Sequence, residues 1–279
     1  MTAHSEDAVA NTHGALARWR RIQAMVLRYV YLFRGSWPRV LELAYWPTLQ
    51  MIMWGFVTIY LAGKSEFFAQ AGGVLIAAVL LWDVLFRSSL GVSISFLEEM
   101  WSRNLGHIFV SPLRPAEFIA SLTLMSLIRV AIGIVPASLL AIWLYEYSIF
   151  DMGLPLIAFF VNLQVMGWSF GLVVCGLLMR YGLGAESLAW FAIFAIAPLS
   201  GIYYPLAVMP DWLQWIARTL PAAHVFEGMR SVLIDKTFRV DLLINAVALN
   251  ALYFSVAIAV FLRFFRSARE RGLILQIGE

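Results

Sequence analysis

Long apolar runs separated by short clusters of arginine and proline dominate the chain. Four runs of 21 to 26 residues carry no charge: Leu43–Gly63, Leu154–Met179, Ser187–Pro210 and Leu242–Leu262. A helix needs about 20 predominantly apolar residues to cross a bilayer. Two further runs, near Gly72–Ile94 and Phe118–Leu144, are as long but enclose charge. The pattern predicts an all-α membrane protein with six transmembrane helices.

The segments between these runs are patterned too. Over Ala15–Gly35, Arg18, Arg21 and Arg28 recur at near-helical spacing, while Ile22, Met25, Val26, Tyr29, Val30 and Phe33 fall largely on another face. This predicts an N-terminal interfacial helix with its arginines toward lipid headgroups, ended by Gly35-Ser36-Trp37-Pro38. After the second run, Phe96–Pro115 mixes charged and apolar residues over about three turns until Pro112 and Pro115 stop the helix. It predicts a short amphipathic helix suited to docking a partner protein. Near the fifth run, Pro198, Gly201 and Pro205 interrupt the apolar sequence, so a kink or break is expected. Asp211 is placed to cap a short helix with Trp212, Trp215 and Ile216 on one side, and a second helix is expected over about Ala222–Ile234. Irregular backbone at membrane depth must be buried in protein or line a cavity. These two helices therefore read as a re-entrant outer hairpin.

Composition supports a membrane reading. Of 279 residues, 62% are hydrophobic and 13% charged, against about a quarter charged in soluble domains. Mean hydropathy is +0.80. Low charge and 15% aromatic content exclude disorder. The single cysteine, Cys175, excludes an intramolecular disulfide and a multi-cysteine metal site. No apolar stretch with a small-residue cleavage site follows the polar first 15 residues, so no signal peptide is expected.

Charge then sets orientation. With the amino terminus inside, 13 basic residues fall in inside segments and 5 in outside ones, with Arg87 and Arg129 inside spans. That asymmetry predicts that both termini are cytoplasmic. Because the basic residues flank apolar runs, they signal topology and not nucleic acid.

Several residues are candidates for chemistry. Asp83 and Arg129 fall near the centres of spans two and three, where an unpaired charge costs about 3 kcal/mol. An ion pair between neighbouring helices would account for them. Arg87, one turn from Asp83, offers an intrahelical alternative. A polar pathway lining is the functional reading of the same three residues. His224, Glu227 and Arg230 are expected to form a hydrogen-bonded plug near an outer gate. Tyr203, Tyr204, Trp212 and Trp215 suit either substrate contact or an aromatic belt. Gly167 and Gly171 permit close helix packing. Lys64 in Ala62-Gly63-Lys64-Ser65 resembles the end of a phosphate loop, but Thr58 stands where the first glycine is required and the segment ends a membrane helix. ATP hydrolysis is therefore not expected in this chain.

The order of these features resembles the permease subunits of type-2 ATP-binding-cassette (ABC) exporters over essentially the whole length. The resemblance is carried by the interfacial helix, six spans, the polar helix ending near Ser111-Pro112-Leu113, and the stretch from Leu199-Ser200-Gly201-Ile202-Tyr203-Tyr204-Pro205 through Leu220-Pro221. The tail Arg269-Glu270-Arg271-Gly272-Leu273 adds to it. It implies residues 1–40 as polar N-terminus and interfacial helix, 41–265 as the permease domain and 266–279 as a cytoplasmic tail. It further implies a bacterial-type inner membrane, a dimer with a second copy, and two separate ATPase subunits that hold ATP and Mg, with no cofactor or metal in this chain. Glu98, Glu99, Trp101, Arg103 and Asn104 become the candidates for docking the ATPase, with Trp101 as anchor. The compact outer hairpin departs from the polysaccharide-exporting branch, so lipid, glycolipid, polysaccharide, drug and peptide all stand as substrates. Two other classes compete: an intramembrane transferase using His107 or His224, and an ion-coupled transporter, which would show paired broken helices.

Overall fold

In the computed structural model, which describes residues 14–63 and 66–272, every regular element among the described residues is helical. The helices are α1 (Ala15–Arg34), α2 (Trp37–Ala62), α3 (Glu66–Trp101), α4 (Leu105–Val110), α5 (Pro115–Tyr145), α6 (Leu154–Tyr181), α7 (Ser187–Ile196), α8 (Asp211–Arg218), α9 (Pro221–Leu233) and α10 (Val240–Glu270). Short 3-10 turns at Ile149–Met152, Gly182–Ala185, Ala197–Leu199 and Leu206–Val208 join them.

Among the described residues, four segments are long and apolar enough to cross a membrane: Gly73–Trp101, Pro115–Tyr145, Leu154–Ala185 and Val240–Glu270. The other two expected spans differ. α2 has 26 residues, but Trp46, Pro47, Gln50 and Trp54 dilute its hydropathy. The fifth run does not form one long helix: α7 has ten residues, and its continuation Ala197–Leu199 is a 3-10 turn at Pro198. Proline lacks the N–H that would extend the helix and crowds the preceding turn.

α3 is the central post, packed on α6, α5 and α2, with α10 against the far side of α6. The α3–α6 contact is close because α6 turns glycines toward α3. A Cβ on Gly167 would lie 2.4 Å from Cβ of Ser88, and one on Gly171 2.7 Å from Cβ of Val92. Small residues let membrane helices approach until their backbones touch. The Gly-x-x-x-Gly pair thus serves packing within the chain.

Two apolar cores fill the bundle. One gathers Val74–Leu85 of α3 with α8 and α9 at the hairpin end. The other gathers Leu90–Met100 of α3 with Tyr29 and Phe33 of α1. Between them lies a polar waist of Arg87, Ser88 and Ser89 on α3, Ser126 and Arg129 on α5, and Gln164 on α6, all buried. Ser88 Oγ donates to the Gln164 carbonyl at 2.7 Å, and Ser126 Oγ donates to that of Ser88 at 2.9 Å. Asn250 of α10 joins by donating to Asn162 Oδ1 at 2.9 Å. Hydrogen bonds between helices satisfy groups for which hydrocarbon offers no partner.

Candidate functional site

Three regions gather the charged residues: the α1 end, a lateral cavity and the hairpin. At the α1 end, α3 runs past the expected span to Trp101 and then stops in a defined cap. Arg103 takes the left-handed conformation (φ 52°). Its N–H bonds the Met100 carbonyl, and the Asn104 N–H bonds that of Glu99, both at 2.9 Å. These two bonds form a Schellman motif. The short helix expected within Phe96–Pro115 is therefore present but later in the chain: Glu98–Trp101 are the last turn of α3, and the separate helix is the six-residue α4, which ends before Pro112.

The cap points the two glutamates inward. Glu99 Oε1 lies 2.9 Å from Arg28 Nη1, and Glu98 Oε2 lies 2.8 Å from Arg129 Nη2, with Arg39 at 3.6 Å from its other oxygen. Asn104 Nδ2 donates to Glu99 Oε2 at 3.0 Å. Arg21 pairs with Glu117 at 2.6 Å, and Glu117 also accepts the Arg114 N–H that opens α5. Arg129 stacks over the Phe33 ring, 4.5 Å from its centroid. Tyr29 is fully buried beside Glu99, and burial together with that carboxylate pushes its phenol well above the usual range.

Three expectations are corrected by this geometry. Arg21 and Arg28 face protein carboxylates and not headgroups. The face of Tyr29 and Phe33 is covered by the bundle, and the exposed large apolar residues of α1 are Leu16, Trp19, Leu27, Tyr31 and Leu32. Arg129 pairs with Glu98 and not with Asp83, whereas Asp83 takes the expected intrahelical alternative, Arg87 through Nε at 2.6 Å within α3. Glu98 and Glu99, only 11% and 1% exposed at their side chains, are committed inside the chain. The surface there is built by Trp101, Arg103, His107 and Val110, which are all exposed, and Val110 is 89% so. Val110 was not among the expected docking residues, because an isolated valine before Ser111-Pro112 gives no sign of facing out.

A lateral cavity of about 580 Å³ opens between α2, α3 and α7. Its polar lining is Arg39, Glu42, Gln50, Asp83, Arg87 and Arg129, with Glu98 at the α1 end beside Trp101. Its apolar wall includes Trp46, Phe86, Trp190 and Phe194. The structure thus brings Asp83, Arg87 and Arg129 to one space. Glu42, Trp46 and Gln50 were missed, although their spacing of four residues along α2 is a readable stripe.

The hairpin end is organised by one arginine. Arg230 of α9 is buried and donates through Nη2 to the carbonyls of Gly201, Ile202 and Tyr204, the last at 3.0 Å. Its Nη1 bonds Glu227 Oε1 at 3.1 Å, and that oxygen also accepts the Leu206 N–H at 2.8 Å. Gly201 has φ +66°, a turn that aims its carbonyl at the guanidinium. His224 Nε2 lies 2.8 Å from the Arg218 carbonyl, which ties it to the hairpin's own turn. Tyr203 stacks on Trp54 of α2 with centroids 4.7 Å apart, and Tyr204 donates to the Pro198 carbonyl at 2.8 Å. Pro210, not Asp211, is the N-cap of α8. Asp211 sits in its first turn, where a carboxylate favours the helix dipole. Trp212, Trp215 and Ile216 are exposed together. No cluster of three metal-ligating side chains occurs among the described residues. Lys64 lies outside them.

Comparison with known proteins adds a family. The family model for the ABC-2 type transporter matches residues 21–234. ABC transporter G family member 20 of Dictyostelium discoideum is 27% identical over 142 residues, which is 51% of this chain and 19% of that protein. The match spans about a fifth of the relative's length.

Proposed function

The chain belongs to the ABC-2 type transporter family, and from that premise we propose that it is the permease subunit of an ATP-driven exporter. It is a membrane protein with several apolar helices and the transmembrane component of an ABC transporter. The observation that carries the finer reading is the lateral cavity between α2, α3 and α7. It has charged groups beside an aromatic wall, which is what a pathway for an amphipathic substrate needs.

In this reading α2, α3, α5, α6, α7 with its broken continuation, and α10 are the six spans. Both termini are cytoplasmic, in a bacterial-type inner membrane. Residues 1–40 form the polar start and interfacial helix, 41–265 the permease domain and 266–279 the tail. A second copy closes the open side of the cavity, where Trp46, Trp190 and Phe194 are exposed. Two ATPase subunits, which hold ATP and Mg, dock on the Trp101–Val110 turn. Their closure moves α3, because Glu98 and Glu99 lock the end of that helix to α1 and α5. Charge complementarity would come from Arg103 and the buried anchor from Trp101.

The test is co-purification in mild detergent with the ATPase encoded beside this gene. Trp101→Ala with Val110→Asp should abolish ATPase association while membrane insertion and oligomer size stay unchanged. Recovery of the chain without any ATPase, or undiminished association of the double variant, would overturn the assignment.

A further inference from the structure

The cavity carries more than a general polar lining. Arg87 sits on α3 at the polar waist, and its side chain is 7% exposed. Its position is built from three sides. Asp83 Oδ2 accepts its Nε at 2.6 Å. On α5, Gly133 leaves a notch that the guanidinium fills: a Cβ there would lie 2.6 Å from Nε and 3.0 Å from Cζ. The third side is the cavity. Nε is spent on Asp83, and the two terminal amino groups bond no other described residue. Phe86, the next residue along, starts an aromatic wall: its ring lies 5.6 Å from that of Phe194 and 6.1 Å from that of Trp190.

A buried guanidinium with an unused fork is a costly arrangement unless a partner arrives. The fork presents parallel N–H donors whose geometry matches the two oxygens of a phosphate or carboxylate. Asp83 does not compete for that fork. It holds Nε, orients the plane and supplies a counter-charge at a depth where a lone cation is expensive. The neighbouring arginines share one carboxylate, Glu98, at Arg129 Nη2 and Arg39 Nη1, and Arg129 keeps a single buried Nε without a partner and no free fork. On hydrogen-bonding capacity, the cavity has surplus donors at Arg87 and an apolar wall adjoining them.

We propose that Arg87 is the headgroup contact of a substrate subsite, and that the substrate is an amphiphile with an anionic phosphate or carboxylate group. The anion takes the Arg87 fork, and the apolar body lies along Phe86, Trp190, Phe194 and Trp46. Gly133 is a positioning residue, because any larger side chain displaces the guanidinium from the cavity. This rests on the reading of the cavity as the transport pathway. Its test uses binding alone, with no ATPase present, so its failure is separable from failure of ATPase association.

The full chain is reconstituted in nanodiscs of zwitterionic lipid, and saturable binding of radiolabelled hexadecyl phosphate is measured. Unlabelled hexadecyl phosphate and hexadecanoate should compete. Hexadecyltrimethylammonium, a neutral hexadecyl glycoside and inorganic phosphate should compete at least about tenfold less well. Arg87→Lys keeps the charge and loses the fork, and should weaken hexadecyl phosphate at least about tenfold, as one lost bidentate contact would. Gly133→Ala should weaken it in the same direction, with the native Arg87 still present. Gel filtration and thermal unfolding show that each variant is folded, and if Arg87→Lys does not fold, Gly133→Ala decides alone. Adding anionic phospholipid to the nanodisc separates two sources: competition by it identifies a bilayer lipid as ligand, and none identifies a free amphiphile. Equal affinity for neutral and anionic amphiphiles, full competition by inorganic phosphate, or unchanged binding in folded variants would overturn the proposal.

Discussion

The two ends of the molecule solve the same problem with opposite chemistry. At the α1 end, carboxylates and arginines from separate helices pair across the chain: Arg21 with Glu117, Arg28 with Glu99, Arg129 with Glu98. At the hairpin end, one side chain, Arg230, gathers backbone carbonyls of a proline-broken loop. The first joins regular helices that have already satisfied their own backbones. The second supplies hydrogen bonds that the broken backbone has lost, because buried carbonyls without partners are costly. Charge at the α1 end therefore fixes how elements sit together, whereas charge at the hairpin end lets an irregular element exist.

Variants can separate these roles. The largest effect is expected at Arg230. Arg230→Met leaves three carbonyls without this donor and Glu227 without its charge partner, and should cost about 3–5 kcal/mol, read as a lower thermal midpoint in detergent with increased hydrogen exchange confined to 200–233. If exchange rises equally at the α1 end, the two regions are one unit and the contrast fails.

Next comes Glu98→Gln, which strips a buried arginine of its charge partner. A loss of about 3 kcal/mol is expected, whereas Arg39→Gln, at a half-exposed guanidinium on the same carboxylate, should cost about 1 kcal/mol or less. Comparable losses in the two variants would mean that Arg129 is not the pair that matters.

Arg28→Ala should cost about 1 kcal/mol, since this arginine is 35% exposed at its side chain. Its signature is selective: hydrogen exchange should rise over Ala15–Arg34 and grow further in 1 M salt, where screening weakens accessible pairs. The hairpin should not respond to salt.

The smallest effect sharpens the cap. Arg103→Gly should raise stability by about 1 kcal/mol or less, because glycine takes the left-handed conformation without the Cβ penalty. A loss of stability would show that the Arg103 side chain holds a contact that outweighs its backbone strain.

Much of the fold was legible because it depends on local pattern. The spans at α3, α5, α6 and α10, the two short hairpin helices and the break at Pro198 all follow from hydropathy runs and from proline's missing donor. That α1 carries an apolar face with Tyr29 and Phe33 was legible from their spacing, but not that the bundle covers it. Its partners were not, because the pattern of Arg21 and Arg28 equally fits a lipid headgroup and a carboxylate 96 or 71 residues away.

The candidate site shows the same division. That Asp83, Arg87 and Arg129 needed partners at their depth followed from the cost of charge in hydrocarbon. Which carboxylate each arginine took depended on helix rotation and on how far α3 continued past the expected span. A Schellman cap at a non-glycine residue leaves no mark in sequence, so the inward turn of Glu98 and Glu99 could not be read.

A helical membrane protein with basic segments at set intervals and one broken hairpin is already written in the order of residues, because periodicity, length and transfer cost are properties of each segment alone. Who pairs with whom emerges from the packing of the folded chain: Arg129 with Glu98, Arg87 with Asp83 in the notch of Gly133, Arg230 with the carbonyls after Pro198. Pairing in a low-dielectric interior depends on a few ångströms of approach between distant helices, and packing sets that distance.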